Sequence, residues 1–135
     1  MESTINKFIH LLPILILGVF TSPVMSQVER SQLTSNIDNR EPMDNLEGAV
    51  QGQYGQIKQV YFFTETIGLG DQQIIHKWLY DGDEKASVTL NIGGDSWRTY
   101  SSKRVPSEWQ GKWQVQVWHG DLMLISHHFK VSYTD

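Results

Sequence analysis

The sequence predicts an all-β protein, an antiparallel immunoglobulin-like sandwich of about seven strands preceded by a signal peptide. Three observations carry this reading. Beyond residue 26 there is almost no helical periodicity, and short runs rich in β-branched and aromatic residues recur. Turn signals built on Gly, Asp and Asn separate those runs. A small closed barrel satisfies the same pattern and is the second fold it allows.

Residues 1–26 read as a secretory leader. Lys7 gives a weakly positive start, spoiled slightly by Glu2. The run from Phe8 to Phe20 is apolar apart from His10, and Thr21-Ser22-Pro23 breaks it. Val24 and Ser26 fit the positions before a cleavage site, so cleavage after Ser26 is expected. A spanning helix needs about 20 apolar residues, and this run is shorter and contains Pro13. The alternative is an uncleaved anchor in the inner membrane. In both cases the body, residues 27–135, is expected to be one domain in the periplasm or outside the cell. No membrane span is expected after cleavage.

The strands are read in order. The first, around Glu29–Ile37, is weak. A turn-rich connection follows, carrying Asn36, Asp38, Asn39, Pro42, Asp44, Asn45 and Gly48, and is expected to be solvated. The second, Ile57–Thr66, is rich in β-branched and aromatic residues and ends before Gly68 and Gly70. The third, Gln72–Tyr80, places Ile74, His76, Trp78 and Tyr80 on one face. Asp81-Gly82 is a hairpin turn. The fourth points Ala86, Val88, Leu90 and Ile92 one way and Lys85, Ser87, Thr89 and Asn91 the other. Gly93-Gly94-Asp95 leads into the fifth, Ser96–Arg104, and Pro106 and Gly111 frame the next loop. The sixth, Lys112–Trp118, faces Trp113, Val115 and Val117 inward. After the Gly120-Asp121 turn, the seventh, Leu122–Tyr133, faces Met123, Ile125, Phe129, Val131 and Tyr133 to the core with His127 in the same row.

Composition narrows the function classes. Fifteen acidic residues against 11 Lys and Arg give a net charge of -4, so no basic stripe exists for nucleic acid or for polybasic membrane docking. With no cysteine, disulfides, thiolate zinc sites, a Cys nucleophile and lipidation of an N-terminal Cys are excluded. The core must then rest on packing. Five Trp, five Tyr and five Phe make that feasible, since each can bury roughly 150–250 Å2.

Several stretches together are similar to a known family: NREP at 39–42, VYFFTE at 60–65, IIHKW at 74–78, LNIGGDSWRTYSSK at 90–103 and the W-x-G-x-W of 109–113. They resemble the bacterial domain-of-unknown-function family 2914, from about Ser31 to Tyr133. The resemblance implies an extracytoplasmic module, sometimes found at the end of membrane proteins. It implies no catalytic residues, because the family's activity is unknown.

The fifth strand mixes Trp97, Arg98, Tyr100 and Lys103 and has no clean apolar face, as an edge strand or a binding surface would. A contact surface built from Arg98, Tyr100, Lys103 and Trp109 is therefore expected, with His76 as a further polar member. Arg offers a planar donor fork and Trp a stacking face. The competing reading makes Trp78 and His76 a hydrogen-bonded core cluster. Ser101 and Lys103 share a strand face and invite a Ser/Lys nucleophile reading, but no oxyanion donors are visible. His127 and His128 splay apart on one strand, so a metal site with His76 or His119 is disfavoured. Glu65 and Asp95 would serve glycoside cleavage only if they converged. Trp109 and Trp118 suit sugar stacking or a partner interface, or else cap the sandwich.

These readings lead to a non-catalytic interaction module of the bacterial envelope, with no cofactor and no metal. Its expected partner is an envelope protein; the alternative is cell-wall polysaccharide or peptidoglycan, and an unrecognised hydrolase ranks last. The register of the fourth strand is directly testable. Leu90→Asp should destabilise the domain by about 2 kcal/mol or more by placing an unpaired charge on the inward row, and Thr89→Asp should be tolerated. Equal effects in chemical denaturation would mean that the register is wrong.

Overall fold

The computed structural model describes residues 27–135 and, of the preceding segment, only Pro13 and Gly18. The expected leader thus lies outside the described residues. Ten strands follow in order. They are β1 (Val28–Thr34), β2 (Ile37–Asp38), β3 (Glu41–Pro42), β4 (Ala49–Gln53), β5 (Lys58–Ile67), β6 (Gln73–Tyr80), β7 (Asp83–Asn91), β8 (Ser96–Val105), β9 (Gly111–His119) and β10 (Leu122–Thr134). A single 3-10 turn, Ser107–Trp109, joins β8 to β9.

Two sheets form a sandwich. One has the order β1-β5-β8 and the other β4-β10-β9-β6-β7; β2 and β3 make a separate small hairpin. The expected sandwich is present, with two corrections. The connection read as solvated turn contains β2 and β3, and β4, which was not expected, lies between it and β5. The larger sheet is mixed rather than antiparallel, because β4 pairs with β10 in parallel, Val50 opposite Val131 and Gly52 opposite Tyr133. Among the described residues no helix is long and apolar enough to cross a membrane.

Inward rows from both sheets meet in one core. Leu33, Val60, Phe62 and Val105 come from the smaller sheet, and Ile74, Trp78, Trp113, Val115, Val117, Phe129 and Val131 from the larger. Trp78 is completely buried and meets Phe62 and Phe129 edge-to-face at 6.5 and 6.3 Å, the arrangement that ring quadrupoles favour. The alternation expected for β6, β7 and β9 is present. In β10 it fails only at Met123, which is exposed beyond a bulge between Met123 and Ile125.

Turn chemistry sets the hairpins. Tyr80 pairs with Asp83 around Asp81 (φ +48°) and Gly82 (φ +86°), the two positive φ values that a two-residue type I′ turn requires. The Gly93-Gly94 pair has a different cause. A Cβ on Gly93 would lie 2.7 Å from the Trp97 ring, so the indole can fold over the turn only because no side chain is there.

Tyr133 clasps the sandwich at one end. Its hydroxyl donates to the carbonyl of Val105 and accepts from the Lys58 amide at 3.0 Å, tying β10 to β5 and β8. Its ring lies against Gly52, where a Cβ would come within 2.8 Å. Gly52→Ala should therefore push the ring from its seat and cost about 1–3 kcal/mol, the usual penalty for overpacking. Thermal or urea unfolding measures it, and an unchanged midpoint would show that the ring has room to move.

Candidate functional site

Strand β8 decides where the expected site residues go. It pairs with β5 so that Arg98 lies opposite Glu65, Tyr100 opposite Phe63, Ser101 opposite Phe62 and Lys103 opposite Val60. Opposed residues in an antiparallel pair share a face. Arg98 and Tyr100 thus stand on the outer face of the smaller sheet with Phe63 and Glu65. Trp97, Ser101 and Lys103 stand on the inner face. The five residues expected to form one contact surface occupy three separate places.

The first place is the core. His76 is fully buried, which removes it from any contact surface. Its Nδ1 is 2.6 Å from Ser101 Oγ, its Nε2 is 3.3 Å from Thr64 Oγ1, and Trp78 Nε1 donates to Ser101 Oγ at 3.0 Å. Burial holds the imidazole down to about pKa 3, so it is neutral at ordinary pH. A neutral ring has one donor and one acceptor nitrogen, and the two hydroxyls can serve both. Ser101 is 5% exposed. A Ser–His hydrogen bond is the beginning of a nucleophile, but here it is sealed between two sheets and acts as a polar pin in the core. Lys103 does not join it.

The second place is the outer face of the smaller sheet. Arg98 Nη1 donates to Glu41 Oε1 at 2.6 Å. Arg30 binds both oxygens of Glu41 at 3.0 Å and Glu65 Oε2 at 2.5 Å. Glu41 is therefore held by two guanidinium groups, Arg30 first, and its carboxyl falls to about pKa 2. The contacts draw the β2–β3 hairpin toward the sheet. Arg30 also lies 4.9 Å above the ring of Phe63, which explains how an outward Phe is almost fully buried. Tyr100 remains 45% exposed beside Tyr61, at 6.1 Å between ring centroids.

The third place is the open edge of the sandwich, where β7 and β8 end their respective sheets. Lys103 Nζ lies 5.2 Å from the Trp109 ring centroid and Lys85 Nζ 4.8 Å. Burial, and then the charge of Lys85, lowers the pKa of Lys103. Lys85, read from the sequence as an outward residue of the fourth strand, is a site residue the sequence reading missed.

The remaining candidates are engaged elsewhere. His127 Nε2 is 2.6 Å from the carbonyl of Glu47, His119 Nε2 is 2.6 Å from Gln72 Oε1, and His128 Nε2 is 3.4 Å from Ser126 Oγ. Among the described residues no group of three His, Cys, Asp or Glu is placed to hold a metal ion. Trp118 is half-buried on the outer face of the larger sheet, with Lys77 Nζ 4.5 Å from its ring. A 440 Å3 groove lies apart from all of these, lined by Gln51, Gln53, Gln56, Gln59 and their neighbours at the β4 edge.

Fold and site together define an all-β sandwich domain with aromatic and cationic groups displayed on both faces of an edge strand. Residues 71–131 match the model of the family described as a protein of unknown function, DUF2914. The match runs from just before β6 into β10 and includes Arg98, Tyr100, Lys103 and Trp109. The NREP and VYFFTE stretches fall outside it. No curated protein matches the chain.

The buried imidazole has a pH consequence. The unfolded chain takes a proton at His76 near pH 6.5, whereas the folded domain resists until about pH 3. Its contribution is fully present above pH 6.5 and declines as the pH falls toward 3, at about 1.4 kcal/mol per unit. Glu41, with an ordinary value of 4.5, and Asp44, with one of 3.8, are both lowered in the fold, so their contributions decline only below those values. Urea unfolding between pH 6.5 and 4.5 should thus show a stability loss that His76→Gln largely abolishes. The same slope in both proteins would assign the effect to another group.

Proposed function

We propose that the domain is a non-catalytic interaction module working outside the cytoplasm, in a bacterial envelope, and that it docks an envelope protein through the outer face of the β1-β5-β8 sheet. Tyr100 carries this reading. It is a large, half-exposed aromatic on an edge strand, supported by Tyr61 and flanked by Arg98. Aromatic residues and Arg are enriched where proteins meet. The charges around it are balanced, since Glu41 and Glu65 answer Arg30 and Arg98. A surface of matched charges with an aromatic centre suits a protein partner better than a polyanion. The Ser101–His76 pair gives no support to a hydrolase, because it lies in the core.

A second reading, binding of cell-wall saccharide, is favoured by one observation, the partly buried Trp109 at the sandwich edge with two lysines over its ring.

A photocrosslinking residue at position 100, introduced in living cells, tests the protein-docking reading. It should yield one discrete protein adduct that disappears with Arg98→Ala, while that variant melts within about 3 °C of the parent. An adduct pattern no different from that of the same probe at Thr89, on the outward side of β7, would sink the reading.

A further inference from the structure

We propose that Lys85, Lys103 and Trp109 form a binding site for an anionic saccharide, a sugar ring carrying a carboxylate or a phosphate. This deepens the saccharide reading and is independent of protein docking at Tyr100, which lies on the opposite face of β8.

A bulge places Lys85. In the β6–β7 pair, Trp78 opposes Ala86 and Leu79 opposes Glu84, so Lys85 is left over as a bulge. Bulges re-aim a side chain that regular alternation would send elsewhere. Here the strand forgoes a regular pairing, and the lysine turns to the ring of Trp109. Lys103 arrives at the same ring from β8 in the other sheet.

The platform is rigid. Trp113 Nε1 donates to the carbonyl of Trp109 at 2.7 Å, and Tyr80 Oη donates to the carbonyl of Gln110 at 2.8 Å. The Tyr80 ring stacks with Trp109 at 6.5 Å and 27°. Two core side chains thus hold the 3-10 turn from below, and little order remains to be gained on binding.

No carboxylate answers the charge, although Lys103 Nζ donates to the carbonyl of Arg104 at 2.9 Å. Among the described residues every ion pair lies on the outer face of the smaller sheet, and neither Lys85 nor Lys103 has one. Two ammonium groups brought to one indole repel each other; burial first, and then the charge of Lys85, lowers the pKa of Lys103. An anion between them relieves that repulsion. A ring lying along the indole uses the remaining apolar surface. The site is shallow, and the 440 and 160 Å3 depressions lie elsewhere on the molecule. A shallow platform suits a repeating polymer, which makes further contacts along the surface, better than an isolated nucleotide, which needs an enclosing slot.

The test is titration calorimetry on the purified domain at low salt. The charged probes are oligogalacturonate and mannose 6-phosphate; the controls are methyl-esterified oligogalacturonate, mannose and inorganic phosphate. At least one charged sugar should bind, with its uncharged counterpart weaker by about tenfold or more. Lys85→Met and Lys103→Met should each lose that binding without a change in melting temperature, and Arg98→Ala should retain it. A charged sugar that binds Lys85→Met as well as the parent overturns the proposal. So does inorganic phosphate binding as tightly as the sugar phosphate. Failure of both charged sugars overturns it too, and leaves the docking reading at Tyr100 standing.

Discussion

The hydrogen bonds that Ser101 makes in the core fix what β8 displays. His76 and Trp78 reach across from the larger sheet to one hydroxyl on the smaller, and Thr64 takes the far nitrogen of the imidazole. Apolar contacts alone tolerate a sliding strand if the row stays greasy. A buried donor left without its acceptor costs about 1–3 kcal/mol, so this cluster penalises displacement in a way packing does not. A slip of one residue in β8 would exchange its faces. Arg98 and Tyr100 would turn inward, and Lys103 would leave Trp109. Both proposed surfaces therefore depend on a serine that meets neither.

The two surfaces differ in electrostatics, and that difference separates their partners. On the outer face, opposite charges are interleaved and the hairpin that carries Glu41 is drawn against the sheet. Exposed pairs of this kind contribute little stability, about 0–1 kcal/mol each. Their effect is to orient groups and cancel a net field. At the sandwich edge two lysines share an aromatic ring with no carboxylate in contact, in a protein whose net charge is -4. Local positive potential on an acidic molecule comes from placement, not from composition.

Much of the fold was legible because its strands obey simple patterns. Strands β6, β7 and β9 have regular alternation, and Asp81-Gly82 is a strong turn signal. Strand β4 was not legible. Ala49-Val50-Gln51-Gly52-Gln53 offers one branched apolar residue and a glycine, and that glycine is required by the Tyr133 ring, a contact from 81 residues downstream. No local window contains it. The site was half legible. Arg98, Tyr100, Lys103 and Trp109 were singled out from the sequence, but alternation within β8 should already have set Lys103 on the face opposite Arg98 and Tyr100.

Lys85 marks a conflict that sequence reasoning could have resolved. A two-residue turn at Asp81-Gly82 continued in strict register pairs Trp78 with Lys85, and pairs share a face. Trp78 belongs in the core, so strict register would drive a lysine in beside it. The inward row of Ala86, Val88 and Leu90 demands a register shifted by one residue. Both demands are met only if one residue between the turn and Ala86 goes unpaired, and Lys85 is that residue. The bulge is thus the point where turn geometry and core pattern are reconciled. A cationic chain freed from both rows at a sheet edge can settle on an aromatic ring, and in this fold that ring is the partly buried Trp109.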